Sequence, residues 1–211
     1  MKKLNFAKYF YLYAFYTRKG FKGRFEKGEN VISKDSWHSY LYARDILNSR
    51  FEKGEDAISK SAGNSYKYAF VILNNRFEKG ENAISESVMY SYYYARDILK
   101  SRFEKGEIAI SKDAHYSYEY AHHALKGRFE KGEDVISKDA YYSYIYARDI
   151  LKGRFEKGED VISKDEDWSC LYKEYVYDAE KEIKKEIEKE QKELEDLRNS
   201  ISINNLYRLE I

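Results

Sequence analysis

Hydrophobic and polar positions recur along this chain with a period of 26 residues. The clearest copy covers residues 128–153 and reads RFEKGEDVISKDAYYSYIYARDILKG. Its opening hexamer, RFEKGE, occurs six times at that constant interval, beginning at Arg24, Arg50, Arg76, Arg102, Arg128 and Arg154. Self-similarity at a short fixed period is typical of a repeat array. We therefore predict a repeat architecture.

The first half of each unit has the apolar spacing of a short helix, which we call helix A. In the copy at 128–153, the positions i, i+3, i+6 and i+7 hold Phe129, Gly132, Val135 and Ile136. A glycine inside a helix costs about 1 kcal/mol relative to alanine. Its presence in all six copies predicts close backbone packing between neighbouring units.

The second half of each unit predicts a longer helix, which we call helix B, at about residues 140–152 of the same copy. Asp139 is placed to cap its first turn by accepting a hydrogen bond from a backbone N–H. Gly153 tolerates the left-handed conformation that often ends a helix. The apolar stripe, with Ile150 beside it, consists of Ala140, Tyr144, Ala147 and Leu151.

Two such helices and two tight turns fill a unit and leave no room for a strand. Neither helix can bury its apolar face alone, so neighbouring pairs must stack. The sequence therefore predicts an all-α fold, an αα-solenoid of short helix pairs over residues 24–165. Paired tyrosines in helix B would form rows along the array, with a hydroxyl that can reach water or a partner.

Both ends of the chain depart from the repeat. Residues 1–23 look like a degenerate helix B, because residues 11–14 echo residues 40–43, with about three extra residues before the first RFEKGE. We expect a helix that caps the array. After Asp165 the chain has no helix breaker until Asn199 and Ser200, which predicts an extended C-terminal helix within residues 166–211.

The C-terminal helix has heptad-like apolar spacing, weakened by Glu180 and Glu190. Two interpretations remain open. The helix folds back to cap the array, or it pairs with another copy of the chain as a coiled coil and forms a homodimer. The apolar positions are Val176, Ile183, Ile187, Leu194, Leu197 and Ile201.

Charge and cysteine content narrow the range of partners and compartments. The 38 basic and 37 acidic residues leave a net charge of +1, whereas a DNA mimic should be strongly acidic and a non-specific nucleic-acid binder strongly basic. Cys170 is the only cysteine, which excludes an intramolecular disulfide and favours a reducing, cytoplasmic location. The apolar stretch 9–16 is too short to span a membrane, and no signal-peptide cleavage site follows it.

The sequence contains no recognisable catalytic motif: it lacks a phosphate-binding GxxxxGK[ST] loop, a C-x-x-C pair and an assignable Ser-His-Asp set. We therefore predict a non-enzymatic protein without a cofactor. One cluster can be interpreted in two ways, because His115, Glu119, His122 and His123 share one region of helix B in the fourth unit. They offer ligands to zinc or another divalent ion, or they belong to a solvated face that varies between units.

Helix B also carries positions that differ from copy to copy while the rest stays constant. The third residue of helix B and the residue four later share a face. A constant frame with one varying face is how repeat proteins build a binding surface, and the varying residues are too apolar for drift at exposed positions. We predict that a protein partner binds to Trp37, Leu41, Met89, Tyr93, His115, Glu119, Tyr141 and Ile145.

The recurring basic residues support a second hypothesis. The arginine that opens each unit, the lysine of FEKGE, and Arg44, Arg96 and Arg148 each lie near an acidic residue of their own unit. We expect them to form a ladder of surface ion pairs along the stack. The alternative is a basic, tyrosine-lined groove that binds single-stranded nucleic acid or a nucleotide-like ligand.

The unit RFEKGE-x-(A/V)-I-S-K-D-x-x-x-S-Y-x-Y-A-R-D-I-L-K-x resembles the tandem repeats of uncharacterised proteins from bacteriophages and their hosts, over about residues 24–175. The resemblance implies no activity and no functional residue. A phage setting implies a protein that binds and blocks a host component, such as a defence protein, in the host cytoplasm. Departures from the pattern are Phe70 and Val71 where Arg-Asp is usual, the histidines of the fourth unit and the long C-terminal helix.

Overall fold

The computed structural model describes residues 6–17 and 24–207, and every regular element within these ranges is helical. The predicted all-α solenoid of short helix pairs, followed by a long C-terminal helix, is confirmed. The chain divides into two compact units, Met1–Lys138 and Asp139–Ile211, with the division between helix A and helix B of the fifth repeat. Among the described helices, none combines the length and apolarity that crossing a membrane requires.

Helix A is short, and in repeats two to six it opens with a single tight 3-10 turn. These turns are Glu52–Gly54, Glu78–Gly80, Glu104–Gly106, Glu130–Gly132 and Glu156–Gly158. The α-helical parts, from repeat one to repeat six, are Glu26–Ile32, Glu55–Ile58, Glu81–Ser85, Glu107–Ile110, Glu133–Ile136 and Glu159–Ser163.

Helix B begins as an α-helix and ends as a wider π-helix. The α-helical parts are Ser36–Leu41, Ala62–Lys67, Val88–Tyr93, Ala114–Tyr120, Ala140–Ile145 and Glu166–Tyr172. The π-helical parts that follow them are Tyr42–Leu47, Tyr68–Leu73, Tyr94–Leu99, Ala121–Leu125, Tyr146–Leu151 and Lys173–Tyr177. The Y-x-Y-A-R-D-I-L motif therefore lies across the change from one helix type to the other.

A side-chain cap starts every helix B. Asp139 accepts a hydrogen bond from the backbone N–H of Tyr142 at 3.0 Å, as predicted. Such a cap satisfies one of the N–H groups that the first turn of a helix leaves without a partner. The equivalent caps are Asp35, Ser61, Ser87, Asp113 and Asp165.

Helix B ends at a left-handed residue, but this residue is not the predicted glycine. Lys152 has a φ of 51°, whereas Gly153 has no positive φ. The carbonyl of Ala147 accepts hydrogen bonds from the N–H groups of both Lys152 and Gly153, because the π-turn adds one residue to the last turn. The chain therefore reverses one residue earlier than expected. The other left-handed residues are Asn48, Asn74, Lys100 and Lys126.

The glycine of helix A contacts the preceding repeat, which confirms the predicted close packing. A Cβ at Gly106 would lie 2.6 Å from the ring of Phe103 and 2.7 Å from Cβ of Ser91, in the preceding helix B. Ser91 is fully buried, and its hydroxyl donates to the carbonyl of Ile84 at 2.9 Å. The same contact joins Gly54 to Ser39, Gly80 to Ser65, Gly132 to Ser117 and Gly158 to Ser143.

The N-terminal helix, Phe6–Thr17, packs on the first repeat as a helix B would. The hydroxyl of Tyr11 donates to Asp45 at 2.7 Å, and Tyr66 makes the matching bond to Asp97 at 2.8 Å. These pairs are separated by 34 and 31 residues, so three extra residues lie between the N-terminal helix and the first repeat. The segment 18–23, where the extra residues were predicted, lies outside the described residues.

The C-terminal helix runs from Asp178 to Tyr207 and continues past Asn199 and Ser200, where the sequence suggested a break. Asp178 occupies the place of Lys152 in the preceding repeat, but its φ is −73°, so the chain stays helical. Strong helix formers follow it in the sequence AEKEIKKEIEKE. The described side chains of residues 181–198 are all exposed.

The glycine contact yields a matched pair of variants. We expect Gly106→Ala to lower the free energy of unfolding by about 1–3 kcal/mol, because the new methyl group overlaps Phe103 and Ser91. A Cβ at Gly127 would meet only the carbonyl of Leu125, at 3.9 Å. Gly127→Ala should therefore have no effect or stabilise by up to about 1 kcal/mol. Denaturant unfolding of both variants checks this, and equal losses would contradict it.

Candidate binding surface

The second glutamate of RFEKGE is buried in the first five repeats, and Glu81 shows how it is held. Arg76 donates to its two carboxylate oxygens from Nε at 2.5 Å and from a terminal nitrogen at 3.1 Å. The hydroxyl of Tyr94 donates to it at 3.4 Å and accepts the backbone N–H of Phe77 at 2.8 Å. Lys105, from the next repeat, donates at 3.2 Å. The buried carboxylates are Glu29, Glu55, Glu81, Glu107 and Glu133.

The lysine of FEKGE links successive repeats in the first compact unit. It reaches back to the buried glutamate of the preceding repeat, not to an acid of its own repeat as we expected. The predicted ladder of ion pairs is therefore present, but its acids are buried, not on the surface. The links are Lys53–Glu29 at 3.4 Å, Lys79–Glu55 at 3.6 Å, Lys105–Glu81 at 3.2 Å and Lys131–Glu107 at 2.6 Å.

These contacts fix the charge state of the network. Burial raises the pKa of the Glu81 carboxyl, but hydrogen bonds from Arg76 and Lys105 outweigh burial and hold that pKa below its usual range. The pKa values of Glu29 and Glu107 are lowered in the same way. Burial raises the pKa of Tyr94 to about 12. At neutral pH, the carboxylates of Glu29, Glu81 and Glu107 are therefore ionised and the phenol of Tyr94 is neutral.

The arginines of helix B are also paired within the chain. Arg96 donates to both carboxylate oxygens of Asp97, at 2.6 Å and 3.0 Å, and lies over the rings of Tyr92 and Tyr93. A guanidinium held by two parallel hydrogen bonds to a carboxylate has its charge offset locally. The same pairing joins Arg44 to Asp45 and Arg148 to Asp149. Each of these three arginines is therefore paired with an aspartate of its own repeat.

Aromatic side chains form a connected surface across repeats two to four. The ring of Tyr66 lies 5.8 Å from Phe70, 5.8 Å from Tyr90 and 5.9 Å from Tyr93, measured between ring centroids. Tyr93 in turn lies 6.5 Å from Tyr116, edge to face. We call these five residues the aromatic surface. Aromatic pairs at such distances stabilise one another, so the five rings support each other across the three repeats.

Phe70 and Val71 are the most unusual part of this region. They occupy the places that Arg96 and Asp97 hold in the next repeat, and they are 50% and 49% exposed. Repeat two therefore presents two apolar side chains where repeats one, three and five present an ion pair. Our sequence-based candidates omitted both residues, although the change from Arg-Asp to Phe-Val was visible in the repeat alignment.

The predicted binding residues do not all lie on one exposed face. Leu41 and Ile145 are buried, so the expectation of an exposed face is wrong for them. Their position falls between the two tyrosines of the Y-x-Y motif, next to the core, where apolar side chains are drawn inward. Polar residues at the same position, Lys67 and Glu119, stay half-buried, as does Tyr93. The exposed candidates are Trp37, Met89, His115 and Tyr141.

Variable positions of neighbouring repeats contact one another. Nζ of Lys67 lies over the ring of Trp37, 5.2 Å from its centroid. The hydroxyl of Tyr90 lies 2.8 Å from where a Cβ of Gly63 would be, so the glycine leaves room for that tyrosine. In the second compact unit, Tyr141 and Trp168 lie 5.0 Å apart. Part of the variation along helix B therefore reflects matched packing between adjacent repeats.

The side chains of the histidine cluster in the fourth repeat do not converge on a common point. Nδ1 of His122 and Nδ1 of His123 lie 3.4 Å apart, and Nε2 of His123 lies 3.4 Å from Glu119. Glu119 also accepts a hydrogen bond from Tyr92 at 2.9 Å, while the ring of His115 packs on Tyr116. In the part of the chain that the structure describes, no three histidine, cysteine or acidic residues are arranged to hold a metal ion. The geometry fits the alternative of a variable, solvated face.

The two glutamates of one hexamer provide a matched test of the buried network. Glu81→Ala leaves the buried hydroxyl of Tyr94 and the half-exposed Arg76 and Lys105 without their shared acceptor, and we expect a loss of about 1–3 kcal/mol in unfolding free energy. Glu78 is 80% exposed, and Glu78→Ala should change stability by less than about 0.5 kcal/mol. Thermal and urea unfolding measure both effects. Comparable losses would show that burial of Glu81 is unimportant.

Alkaline pH should unfold the array through its buried tyrosines. The pKa of Tyr42 and that of Tyr94 are raised from 10.0 to about 12, so the folded state binds more protons than the unfolded state in this range. Their contribution is complete below pH 10 and is lost as pH rises towards 12. We expect the buried tyrosines to ionise in the same step in which the helical circular dichroism is lost. Ionisation of all tyrosines near pH 10 with the helices intact would contradict this.

In comparisons with known proteins, no family model, curated protein or solved structure matches this chain. The resemblance of its repeats to those of phage and bacterial proteins therefore stays a prediction. The interpretation of the aromatic surface rests on the contacts, burial and charges of this chain itself.

Proposed function

We propose that this protein is a non-enzymatic repeat scaffold that binds another protein through the aromatic surface of repeats two to four. The observation that supports this most directly is the exposure of Phe70 and Val71 where other repeats carry an ion pair. Exposing apolar side chains brings no gain in stability to the repeat itself. Adjacent exposed apolar groups are typical of interaction sites.

The composition of the region fits a protein interface. Aromatic residues, methionine and arginine are enriched at protein–protein contacts, where a few of them carry most of the binding energy. Here exposed Met89 lies one helical turn before Tyr93, and Arg96 is stacked over Tyr93. The surrounding repeats are locked by buried ion pairs, so little conformational entropy would be lost on binding.

The charge distribution favours a protein partner over single-stranded nucleic acid. Binding a nucleic-acid backbone requires several cationic groups that can neutralise phosphates. Arg76 and Arg102 are committed to buried glutamates, and Arg96 is committed to Asp97. These three arginines are therefore already paired with carboxylates of the chain itself.

The resemblance to phage repeat proteins extends this proposal to the identity of the partner. A phage-encoded scaffold of this kind would bind and block a host protein, such as a component of a defence system, in the host cytoplasm. The rigid array would present the aromatic surface to that protein, and no chemical step would be required.

A swap between repeats tests the proposal. Phe70→Arg with Val71→Asp restores the residues that repeats one, three and five carry, so the fold should be undisturbed. We expect this double variant to lose at least about 30-fold in affinity for the partner, since exposed aromatic anchors dominate such interfaces. The partner would be identified by affinity capture and mass spectrometry, and its binding to the purified variants would then be measured by calorimetry.

Ile108→Asp is the matched control. Ile108 is an exposed apolar residue of helix A, and repeats two, five and six carry aspartate at its position. This variant should bind as tightly as the wild type. Unchanged binding by the Phe70 and Val71 double variant would contradict the proposed surface. Salt-sensitive binding of single-stranded RNA, without a protein partner, would favour the nucleic-acid alternative instead.

A further inference from the structure

The C-terminal helix carries apolar residues that no described part of the chain covers. Ile183, Ile187 and Leu194 are between 48% and 58% exposed, and all described side chains from residue 181 to 198 are exposed. Helices in proteins gain most of their stability from packing an amphipathic face. A helix of 30 residues with such a stripe is therefore expected to have a partner.

The spacing of this stripe is that of a coiled coil. Ile187 and Leu194 are seven residues apart and take the a positions of a heptad, while Ile183 and Leu197 take d positions. Glu190 interrupts the d positions. A long acidic side chain at the seam of two helices can still turn its carboxylate towards solvent, whereas a bundle of more helices would enclose it. The interruption therefore favours two strands.

Charges beside the stripe distinguish between the two possible orientations. The e positions hold Lys184, Gln191 and Arg198, and the g positions hold Glu186 and Glu193. In a parallel pair, a g residue faces the e residue five positions later in the other helix. Glu193 of each copy then faces Arg198 of the other. In an antiparallel pair, g faces g and e faces e, which brings like charges together.

We propose that the C-terminal helix pairs with the same helix of a second copy of this chain, as a parallel two-stranded coiled coil over residues 183–198. Both repeat arrays are then attached to the N-terminal end of the coiled coil. The dimer therefore carries two aromatic surfaces, one from each copy. Two linked binding sites raise the apparent affinity for a partner that is itself repeated or oligomeric.

The mass of the full-length protein in solution tests the pairing. The chain has a mass of 25.2 kDa, and we expect sedimentation equilibrium to give twice this value. Ile187→Asp with Leu194→Asp should weaken dimerisation by at least about 100-fold, since it places charges in the apolar seam. Glu190→Leu should tighten dimerisation by about tenfold or more, because it removes a charge from the same seam. Both variants should keep the melting temperature of the repeats.

Two further variants test the orientation. Glu193→Lys should weaken dimerisation by about threefold to tenfold at low salt, because it would face Arg198, whereas the outward-facing change Glu188→Lys should have little effect. With Cys170→Ser to remove the native thiol, Ile183→Cys should form a disulfide-linked dimer on mild oxidation, since d residues face each other only in a parallel pair.

A wild-type protein that stays monomeric at high concentration overturns the proposal, as does a dimer that survives Ile187→Asp with Leu194→Asp. Absence of the Ile183→Cys disulfide in a proven dimer overturns the parallel orientation. The C-terminal helix lies outside the aromatic surface. A monomer that still binds its protein partner would therefore reject this inference and leave the proposed function standing.

Discussion

The fold depends on one buried carboxylate in each of the first five repeats. Removing a carboxylate from water costs several kcal/mol unless charged and polar groups surround it. In the first four repeats, the repeat itself supplies an arginine and a tyrosine, and the following repeat supplies a lysine, as at Glu81 with Arg76, Tyr94 and Lys105. The buried carboxylate therefore requires the neighbouring repeat. This requirement explains why RFEKGE and the second tyrosine of helix B scarcely vary.

The same network determines what the surface can do. The basic residues of the hexamer are engaged with buried acids, and the arginines of helix B are engaged with the aspartates that follow them. A protein with nearly balanced charge and internally paired cations attracts polyanions weakly. The surface that remains distinctive is aromatic. Its rings pack on rings of the neighbouring repeats, so the rigidity of the array extends to the aromatic surface.

We propose interactions at two places where the chain departs from the repeat pattern. At Phe70 and Val71, an exposed ion pair is replaced by apolar side chains, which changes the surface without changing the frame. At Asp178, the left-handed turn that ends every complete helix B is absent, so the chain continues as a long helix. The first change offers a surface to another protein. The second provides an apolar stripe on the C-terminal helix, to which another copy of the chain can bind.

The sequence by itself determined the architecture, because local signals suffice for it. The period of 26 residues, the apolar spacing of two helices and the capping residue Asp139 led to the helix pairs that the structure contains. The glycine of helix A predicted close packing, and the structure identifies its contact as the serine of the preceding helix B.

Only the tertiary structure decided the partners and the burial of particular side chains. The two glutamates of RFEKGE are indistinguishable in the sequence, yet Glu81 is buried and Glu78 is exposed, because helix A turns one of them towards the neighbouring repeat. Leu41 and Ile145 likewise proved to be buried. Periodicity shows which residues share a face of one helix. Whether that face meets solvent or another repeat depends on contacts between residues far apart in the chain.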